Sequence, residues 1–588
     1  MGETNAFILR LGTAPGRLDG GLNVTDPAPR LDTSQASLAE NVWYDAGALR
    51  RRPGCAALAP LGTGAPVDTL HDDGSGRLLL QSGSKLYAWT PGEGAPQAFW
   101  TLQVPAGADK APRGSFLPYK DGWVYFINGV EYIRWNSTTA EAVTPTAPKL
   151  YVFGSPAAAG AVLERNAPNL LTNLVTLEYR LSQDAAVSRV YLPPEVRTDI
   201  DPVSVTVNGT AITDFSTYAG LVDLGTSYAG TSTIRVVTEL NSSFQTGDMG
   251  LRACVCAADF GTRGRVFLCG NGTNRLYASA PFDPACFPAD CVQAFGPGEP
   301  LTGLGKLYGT LIVFRAHGMA EFSETGFALH TVNPVLGCDM PGSICTVGNR
   351  LLWANTYAGV HMLLSTSRES ERNVQNLSRN VDPLLLAEST ADLTSAVSVD
   401  FGGRYWLCAG SHVYVWDYTQ RPYTAAAGAA GCAWYLFTGI RAAHFFVCSG
   451  ALYFIVRDSD ALRRFERRGD DAGQAFAAFW RTGMLDGGHP DRYKHLDRLR
   501  LTLLRDEDSR FTVTVRCDEE EEARLTRLPE TVACKASETG QTLTVGVPLR
   551  RRGLVRFSLE FACPEESAGL ALADAAADCR LGARIVRY

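Results

Sequence analysis

The chain has 588 residues, a length that predicts about three or four domains unless the sequence is repetitive. Hydrophobic residues make up 45% of it and charged residues 20%, which excludes a largely disordered protein. The net charge of −7 argues against a basic nucleic-acid binder, and 58 glycines with 31 prolines indicate many short strands joined by tight turns.

The N-terminus and the cysteines indicate the compartment. Residues 1–5 lack the basic and apolar regions of a secretory signal, and no run of about 18 apolar residues predicts a membrane span. Many of the 15 cysteines lie inside apolar runs, which is typical of reduced, buried thiols. We therefore predict no essential disulfide, and none between Cys286 and Cys291.

The first 40 residues are predicted to form an extended segment, because Gly20 to Ala36 is rich in proline and glycine. A short hairpin should follow. Residues 41–44 are interpreted as a strand, 45–47 as its turn and 48–51 as the return strand, which could supply the first blade edge of the repeated sheets that follow.

Seven later segments share one pattern: an alternating apolar strand, a glycine-containing turn and a strand rich in tyrosine or tryptophan. Each is predicted to be a β-hairpin. They are RLLLQSGSKLYAW from Arg77, WVYFINGVEYIRW from Trp123, RVFLCGNGTNRLYAS from Arg265, LIVFRAHGMAEFS from Leu311, RLLWANTYAGVHMLL from Arg350, RYWLCAGSHVYVW from Arg404 and FFVCSGALYFIV from Phe445.

The spacing of these hairpins predicts the fold class. Five of the six intervals between their first residues measure 39 to 54 residues, near the period of about 40–50 residues of propeller blades. The sixth interval is 142 residues, or one repeat of 46 with 96 residues inserted. We predict an all-β chain built on a β-propeller of about six to eight blades, in two parts at 41–150 and 252–480. The alternative is a set of unrelated hairpins in one or two sandwiches.

Two further β-regions are predicted. The insertion at 151–251 has short strands separated by Asp, Pro and Gly turns, which favours a small β-sandwich. Residues 481–588 alternate between apolar and polar residues, which predicts a C-terminal antiparallel domain resembling a sandwich. Within it, the acidic run 518–522 is interpreted as a solvated loop. Arg550, Arg551 and Arg552 are placed between strands, as a candidate subunit interface that faces acidic groups of a neighbour.

The search for catalytic and metal-binding patterns indicates no enzyme. The sequence has no Gly-rich phosphate loop followed by Lys and Ser or Thr, no His-Glu-x-x-His and no Gly-x-Ser-x-Gly. The eight histidines are isolated, and Cys286 and Cys291 have the spacing of a zinc knuckle without a second half. We therefore predict no catalytic residue, no cofactor and no metal site.

Three N-terminal segments carry a recognisable signature. They are Gly20-Gly21-Leu22-Asn23, then SLAENVWY from Ser37 to Tyr44, then GALRRRPG from Gly47 to Gly54. This order resembles the start of tail hub, nozzle and packaged-DNA-stabilisation proteins of short-tailed bacteriophages, in which a propeller follows. Further segments look like relatives in phages of Gram-positive gut bacteria; they are 261–272, 287–288, 300–305, 337–339 and 371–374.

The resemblance implies a structural virion protein. Such proteins form a ring, usually of six copies, below the portal and adaptor. The ring continues the DNA channel, retains the packaged genome, anchors tail fibres and opens on infection. Genomic DNA would pass through the lumen without sequence-specific binding, and an acidic protein suits that passage because each Lys or Arg contact with phosphate adds retention. The expected location is the phage tail, after synthesis in the host cytoplasm.

Two other functions stay open. The insertion at 151–251 could recognise a receptor, which would make the chain a host-binding tail component. The propeller could also be an enzyme acting on surface polysaccharide, since a fold alone does not decide function. Its candidate carboxylates are Asp339, Glu371 and Asp400, of which two would have to lie about 5–9.5 Å apart.

Overall fold

The computed structural model of the chain is built almost entirely from β-strands. It describes residues 6–12, 17–154, 162–164, 167–181, 186–242, 253–307, 309–364, 366, 373–420, 428–429, 431–517, 530–537, 541–565 and 569–585. The α-helices among them are short, Asp382–Leu385 and Thr390–Thr394, and 3-10 turns span Ala28–Arg30 and Pro341–Ser343.

Residue contacts divide the chain into two compact units. The first contains Met1–Gly83, Tyr87–Gln97 and Gly337–Tyr588. The second contains Ser84–Leu86 and Ala98–Leu336. The first unit therefore brings N-terminal and C-terminal residues together.

A four-stranded meander, the blade of a β-propeller, occurs seven times among the described residues, alone or within a larger sheet. Blades 1 to 6 each use four consecutive strands. Their strands are Val67–Asp72, Leu78–Ser82, Lys85–Trp89 and Gln97–Thr101 in blade 1; Ser115–Pro118, Val124–Ile127, Tyr132–Trp135 and Ala140–Ala142 in blade 2; Cys256–Phe260, Arg265–Cys269, Arg275–Ala278 and Val292–Ala294 in blade 3; Leu301–Leu307, Thr310–Arg315, Gly318–Ser323 and Ala328–Asn333 in blade 4; Cys345–Val347, Arg350–Asn355, Gly359–Leu363 and Val374–Asn376 in blade 5; Val397–Phe401, Arg404–Ala409, His412–Asp417 and Ala433–Thr438 in blade 6. The fold class is therefore an all-β propeller, as predicted.

Each of the seven predicted hairpins lies in a different blade, which confirms that prediction. The turn of the seventh hairpin shows why the hairpin pattern can be recognised in the sequence. Ser449 and Gly450 both have positive φ, at 49° and 74°, so they form the kind of two-residue turn whose twist matches that of the flanking strands. Residues 208–209 and 46–47 turn in the same way, again with glycine in the second place.

Blade 7 takes its fourth strand from the N-terminal part of the chain. The strand order is Ala442–Cys448, Ala451–Val456, Leu462–Glu466 and then Gly54–Ala57, with Asp470–Asp471 and Gln474–Ala475 extending the same sheet. Gly54–Ala57 pairs antiparallel with the third strand, which places Cys55 opposite Phe465. A distant segment therefore covers an edge that would otherwise expose unpaired backbone groups.

The assignment of residues 48–51 to a blade edge is wrong. Val42–Asp45 and Ala48–Arg51 do pair as a hairpin, but the second strand lies beside Ala571–Arg584 near the C-terminus. The blade strand begins only after Pro53. Proline has no backbone N–H to donate to a ladder, so it interrupts the pairing surface and the chain changes sheet there.

The inserted region packs around a core of its own. One sheet has the strand order Val162–Glu164, Lys149–Gly154, Leu174–Leu181, Ile234–Glu239, Ser204–Val207 and Thr210–Ile212; the other has the order Val187–Tyr191, Leu221–Tyr228 and Ser216–Tyr218. Buried residues of both sheets, among them Leu177, Val236, Val190 and Val222, form one hydrophobic cluster. The two sheets therefore share one core, and the small β-sandwich stays a prediction.

The C-terminal strands are shared with N-terminal ones in two large sheets. The first has the order Val42–Asp45, Ala48–Arg51, Ala571–Arg584, Arg492–Leu504 and Thr542–Leu554, and Ala6–Arg10 also pairs with the third of these. The second continues from blade 6 in the order Ala433–Thr438, Gln35–Glu40, Ala478–Thr482, Phe557–Cys563, Ser509–Cys517 and Glu530–Cys534, and Gly21–Leu22 pairs with Gln35–Glu40. Buried side chains of both sheets and of blades 5 to 7 belong to one hydrophobic cluster.

Arg550, Arg551 and Arg552 lie inside the strand Thr542–Leu554, so their placement between strands is wrong. The strand is irregular at this point: the φ of Arg550 is 49°, and the pairing register shifts on both sides of Leu496, the partner of Arg551. Arg550 and Arg552 are exposed and Arg551 is half-buried, because side chains alternate along a strand. The acidic run 518–522 lies outside the described residues.

Candidate functional site: the N-terminal stitch

Residues 35–57, called here the N-terminal stitch, run through three sheets in succession. Gln35–Glu40 joins the sheet of blade 6, the hairpin up to Arg51 joins the first C-terminal sheet, and Gly54–Ala57 completes blade 7. Two of the three signature segments, SLAENVWY and GALRRRPG, fall in this stretch. The stitch therefore contains most of the residues on which the resemblance to tail proteins depends.

Asn41 forms the corner between the first two strands of the stitch. Its φ is 56°, a left-handed conformation that asparagine adopts more readily than most residues. The side chain satisfies all its hydrogen-bonding groups. Nδ2 donates to Thr438 Oγ1 and to the carbonyl of Ala477, each at 2.9 Å. Oδ1 accepts from the backbone N of Thr438 and from Nε of Arg52, each at 2.8 Å, so the corner connects blade 6 to the end of the hairpin.

Arg52 is the buried centre of the stitch, with a fully buried side chain. Its two terminal nitrogens contact the two carboxylate oxygens of Asp471 at 3.0 and 2.5 Å. Its guanidinium carbon also lies 3.8 Å from the ring centroid of Phe476. Paired contacts of this kind fix both the distance and the orientation of the two groups. Arg52 therefore fastens the stitch to the segment that follows blade 7.

Arg50 also has a buried side chain, and it pairs with two half-exposed acids that lie between C-terminal strands. Its terminal nitrogens lie 2.7 Å from Asp506 and 3.0 Å from Glu507. Burial has the largest single effect and disfavours the charged guanidinium, but the hydrogen bonds and negative charges of Asp506 and Glu507 together outweigh it and raise the pKa of Arg50. Burial also opposes ionisation of the two acids. The hydrogen bond from Arg50 nevertheless lowers the pKa of Asp506, whereas burial prevails at Glu507 and raises its pKa.

The arginines of the stitch line a cleft of about 360 Å³, together with Arg467 and Arg468. Guanidinium groups commonly bind phosphates and carboxylates of ligands. Here groups of the same chain occupy that role: Arg51 donates to the carbonyls of Gly469 and Phe476, and Arg468 lies 3.0 Å from Glu466. Burial lowers the pKa of Arg51. We interpret the cleft as an internal ion-pair network that joins strands, rather than as a ligand site.

The glycines of the signature also have geometric reasons. A Cβ on Gly54 would lie 2.1 Å from the carbonyl oxygen of Asp470, so no larger residue fits against that backbone. A Cβ on Gly21 would lie 2.7 Å from backbone atoms of Trp434. Gly47 has a φ of 83° in the hairpin turn, a conformation that glycine adopts without strain.

Sequence reasoning singled out Arg550, Arg551 and Arg552 and did not single out Arg50, Arg51 and Arg52 as a buried cluster. The signal for the second set was three consecutive arginines, two at the end of the strand Ala48–Arg51 and one directly after it, that follow the apolar Ala48 and Leu49. Side chains of a strand alternate between its two faces, so consecutive buried cations require partners on both sides. Nothing in the sequence shows which acidic residues those partners are.

Two of the three candidate carboxylates for a polysaccharide enzyme have hydrogen-bond partners nearby. Asp339 accepts hydrogen bonds from the backbone N and the hydroxyl of Thr356, at 2.9 and 2.5 Å. Asp400 accepts one from the hydroxyl of Tyr418 at 2.7 Å, and Glu371 lies outside the described residues. Within the described ranges, no group of three or more His, Cys, Asp or Glu side chains has the arrangement of a metal site. No helix in the described part of the chain is long and apolar enough to cross a membrane.

Comparisons with known proteins leave the function open. No family model matches the chain, and no curated protein matches it. Among solved structures, YCF48 bound to D1 peptide is similar over 70% of this chain and 99% of its own, at 8% identity and a TM-score of 0.32. BamB from Moraxella catarrhalis is similar over 71% of this chain and 97% of its own, at 11% identity and a TM-score of 0.32. TM-scores this low do not support a conclusion about fold or function, so the propeller assignment depends on the seven blades themselves.

Proposed function

We propose that the protein is a structural component of a bacteriophage tail, the nozzle or hub ring below the portal and adaptor. In this role about six copies would close into a ring by a repeated head-to-tail contact. The ring would continue the DNA channel, retain the packaged genome and take part in its ejection. Its partners would be the portal and adaptor proteins and the tail fibres, and its task needs neither a catalytic residue nor a cofactor.

The observation that supports this proposal is the role of the signature residues. The residues that give the N-terminus its resemblance to tail proteins include Asn41, Gly47, Arg52 and Gly54. These same residues supply the corner, the turn, the buried ion pair and the close backbone approach of the stitch. If the match with tail proteins were due to chance, its residues would not be expected to have connected structural roles in one segment. A protein that resists internal DNA pressure would benefit from strands that fasten several sheets together.

A receptor-binding tail component is the second candidate, and the inserted region favours it. That region has its own core and exposes Val203 and Tyr218, which are 63% and 44% accessible. Exposed apolar side chains on a separately packed module are typical of interaction surfaces, although isolated ones also occur on ordinary surfaces. This candidate is compatible with membership of a tail and differs in what the insertion does.

Particle composition tests the proposal. Phage particles purified by density gradient should contain the chain in a fixed ratio to the portal protein, measured by quantitative mass spectrometry. Cryo-electron microscopy of the tail should place it in a ring next to the adaptor. Absence from particles, or turnover of surface polysaccharide by the purified chain, would overturn the structural role. Particles that lack only the insertion and assemble normally but fail to adsorb would favour the receptor-binding candidate.

A further inference from the structure

Blade 3 contains two cysteines that lie directly opposite each other. Cys256 begins the strand Cys256–Phe260, Cys269 ends the strand Arg265–Cys269, and the antiparallel register makes the two residues partners. Paired residues in antiparallel strands have Cα atoms about 4.5–5.5 Å apart, and a disulfide spans about 4.4–6.8 Å between Cα atoms. The backbone therefore already has the spacing that a bond between the two sulfurs requires.

We propose that Cys256 and Cys269 form an oxidation site, at which a peroxide converts the reduced pair into a cross-strand disulfide. The sulfur of Cys256 attacks the peroxide, whose O–O bond breaks, and becomes a sulfenic acid while one water leaves. The sulfur of Cys269 then attacks the sulfenic sulfur, the S–S bond forms and the oxygen leaves as a second water. Two thiols and one hydrogen peroxide thus give one disulfide and two waters.

The surroundings of the two thiols assign these roles. Cys256 is half-buried, whereas Cys269 is fully buried. The thiol of Cys269 donates a hydrogen bond to the sulfur of Cys256, which lowers the pKa of Cys256 and, with burial, raises the pKa of Cys269. An oxidant reacts with the thiolate form of an accessible cysteine, so Cys256 is the first to react and Cys269 resolves the intermediate.

Among the described strands, Cys256 and Cys269 are the only two cysteines that pair with each other. The other cysteines in those strands have partners of different types, for example Phe465 opposite Cys55 and Ala478 opposite Cys563. Cys286 and Cys291, the pair considered from the sequence, are not strand partners of each other. The alternative partner for a disulfide is Cys254, which is buried and lies two positions before Cys256.

The inference is independent of the tail proposal and compatible with folding in a reducing cytoplasm, because all fifteen cysteines are unbonded in the structure. The bond would join the first two strands of blade 3. It would also take Cys256 away from the carbonyl of Thr302 in blade 4, which its sulfur contacts at 3.7 Å. We expect the oxidised chain to unfold at a higher temperature than the reduced one, since a cross-link restricts the unfolded chain.

The experiment uses the purified full-length chain, reduced and then treated with hydrogen peroxide. We expect an intact-mass loss of about 2 Da, from two hydrogens, together with two fewer titratable thiols. A non-reduced digest should contain a peptide that links Cys256 to Cys269, and dithiothreitol should reverse the change. The variants C256S and C269S should each lose the cross-link, whereas C254S, the matched control, should keep it.

Three results would overturn the proposal. One is a cross-link that includes Cys254 or disappears in C254S. Another is a sulfinic or sulfonic acid on Cys256 without any cross-link. The third is the loss of two thiols in C256S or C269S to the same extent as in the unmodified chain. If a serine variant fails to fold, C256A and C269V preserve the apolar surroundings and allow the same comparison.

Discussion

The inserted region and the C-terminal strands are both β-structure outside the blades, but they are attached to the protein in different ways. The inserted region has a hydrophobic cluster of its own. The C-terminal strands share a cluster with blades 5 to 7, and two strands of the stitch lie within their sheets. The first arrangement is that of a module, and the second makes the C-terminal strands part of the same cooperative structure as the last blades.

Asn169 lies where the inserted region meets the blades. Asn169 is buried, and its Nδ2 donates to the carbonyls of Thr146 and Ala285, each at 2.9 Å. Its Oδ1 accepts from the backbone N of Leu171 and of Phe287, at 3.1 and 2.9 Å. Leu171 also belongs to the cluster of blades 2 and 3. Asn169 and Leu171 thus connect the region to the blades, whereas whole strands connect the C-terminal part.

Removing each region in turn should give the largest difference in unfolding behaviour between the two regions. A chain that ends at residue 482 loses the strands that pair with Ala478–Thr482 and with the hairpin of the stitch, along with part of the shared core. We expect no cooperative unfolding of the first unit in calorimetry. Replacing 151–251 by a short flexible linker should retain the main transition, at a lower temperature because Asn169 and Leu171 are lost. Cooperative unfolding of the truncated chain would contradict this comparison.

Breaking the stitch should have the next largest effect. Arg52→Ala leaves Asp471, whose side chain is 16% exposed, without its ion-pair partner and removes a donor from Asn41. We expect the free energy of unfolding to fall by about 3–5 kcal/mol, as measured with denaturant. The matched control is Arg467→Ala, since Arg467 is 64% exposed and its surface ion pairs should contribute less than about 1 kcal/mol. Equal losses in the two variants would mean that the stitch is not a centre of stability.

Acid should weaken the shared core before it affects the inserted region. His361 in blade 5 is buried, and burial lowers its pKa from 6.5 to about 4. The unfolded chain therefore takes up a proton below pH 6.5 while the folded chain does not, so stability is complete above that pH. We expect about 3 kcal/mol to be lost between pH 6.5 and 4.

The control for this pH effect is His361→Gln, which should flatten the dependence of the unfolding free energy on pH. Residues 149–240 contain no histidine. The pKa of Glu178 in that region is lowered by its hydrogen bond with Arg235, so its contribution is lost only as the pH falls below the ordinary value of 4.5. Calorimetry at pH 7 and pH 5 should therefore shift the transition of the first unit and leave that of the inserted region unchanged. An unchanged slope in the variant would assign the acid sensitivity to other groups.

Charge reversal at Arg550, Arg551 and Arg552 should have the smallest effect on stability. Two of them are exposed, so the triple change to Glu should alter the free energy of unfolding by no more than about 1 kcal/mol. If these residues form a subunit interface, the variant should enter tails at a lower copy number, because rim charges influence register and association rate. Mass spectrometry of particles measures this. Normal incorporation would make these arginines ordinary surface charge.

The repeated hairpins could be predicted from the sequence by itself. Alternation along a strand and a turn such as Ser449-Gly450 involve neighbouring residues, so their signals are local and recur with the period of the blades. The sequence also showed a signature at the N-terminus, although not what its residues contact.

Only the tertiary structure decided which sheets the N-terminal strands join. The partners of Arg50 and Arg52 are Asp506 and Asp471, which lie 456 and 419 positions away in the chain. An ion pair between such distant residues leaves no local pattern in the sequence. Many other acidic residues of the chain could equally be assigned as the partner of each arginine. The same holds for Gly54–Ala57, whose backbone could complete the edge of several blades. In the folded chain Gly54–Ala57 pairs with blade 7, where the carbonyl of Asp470 leaves room only for glycine at position 54.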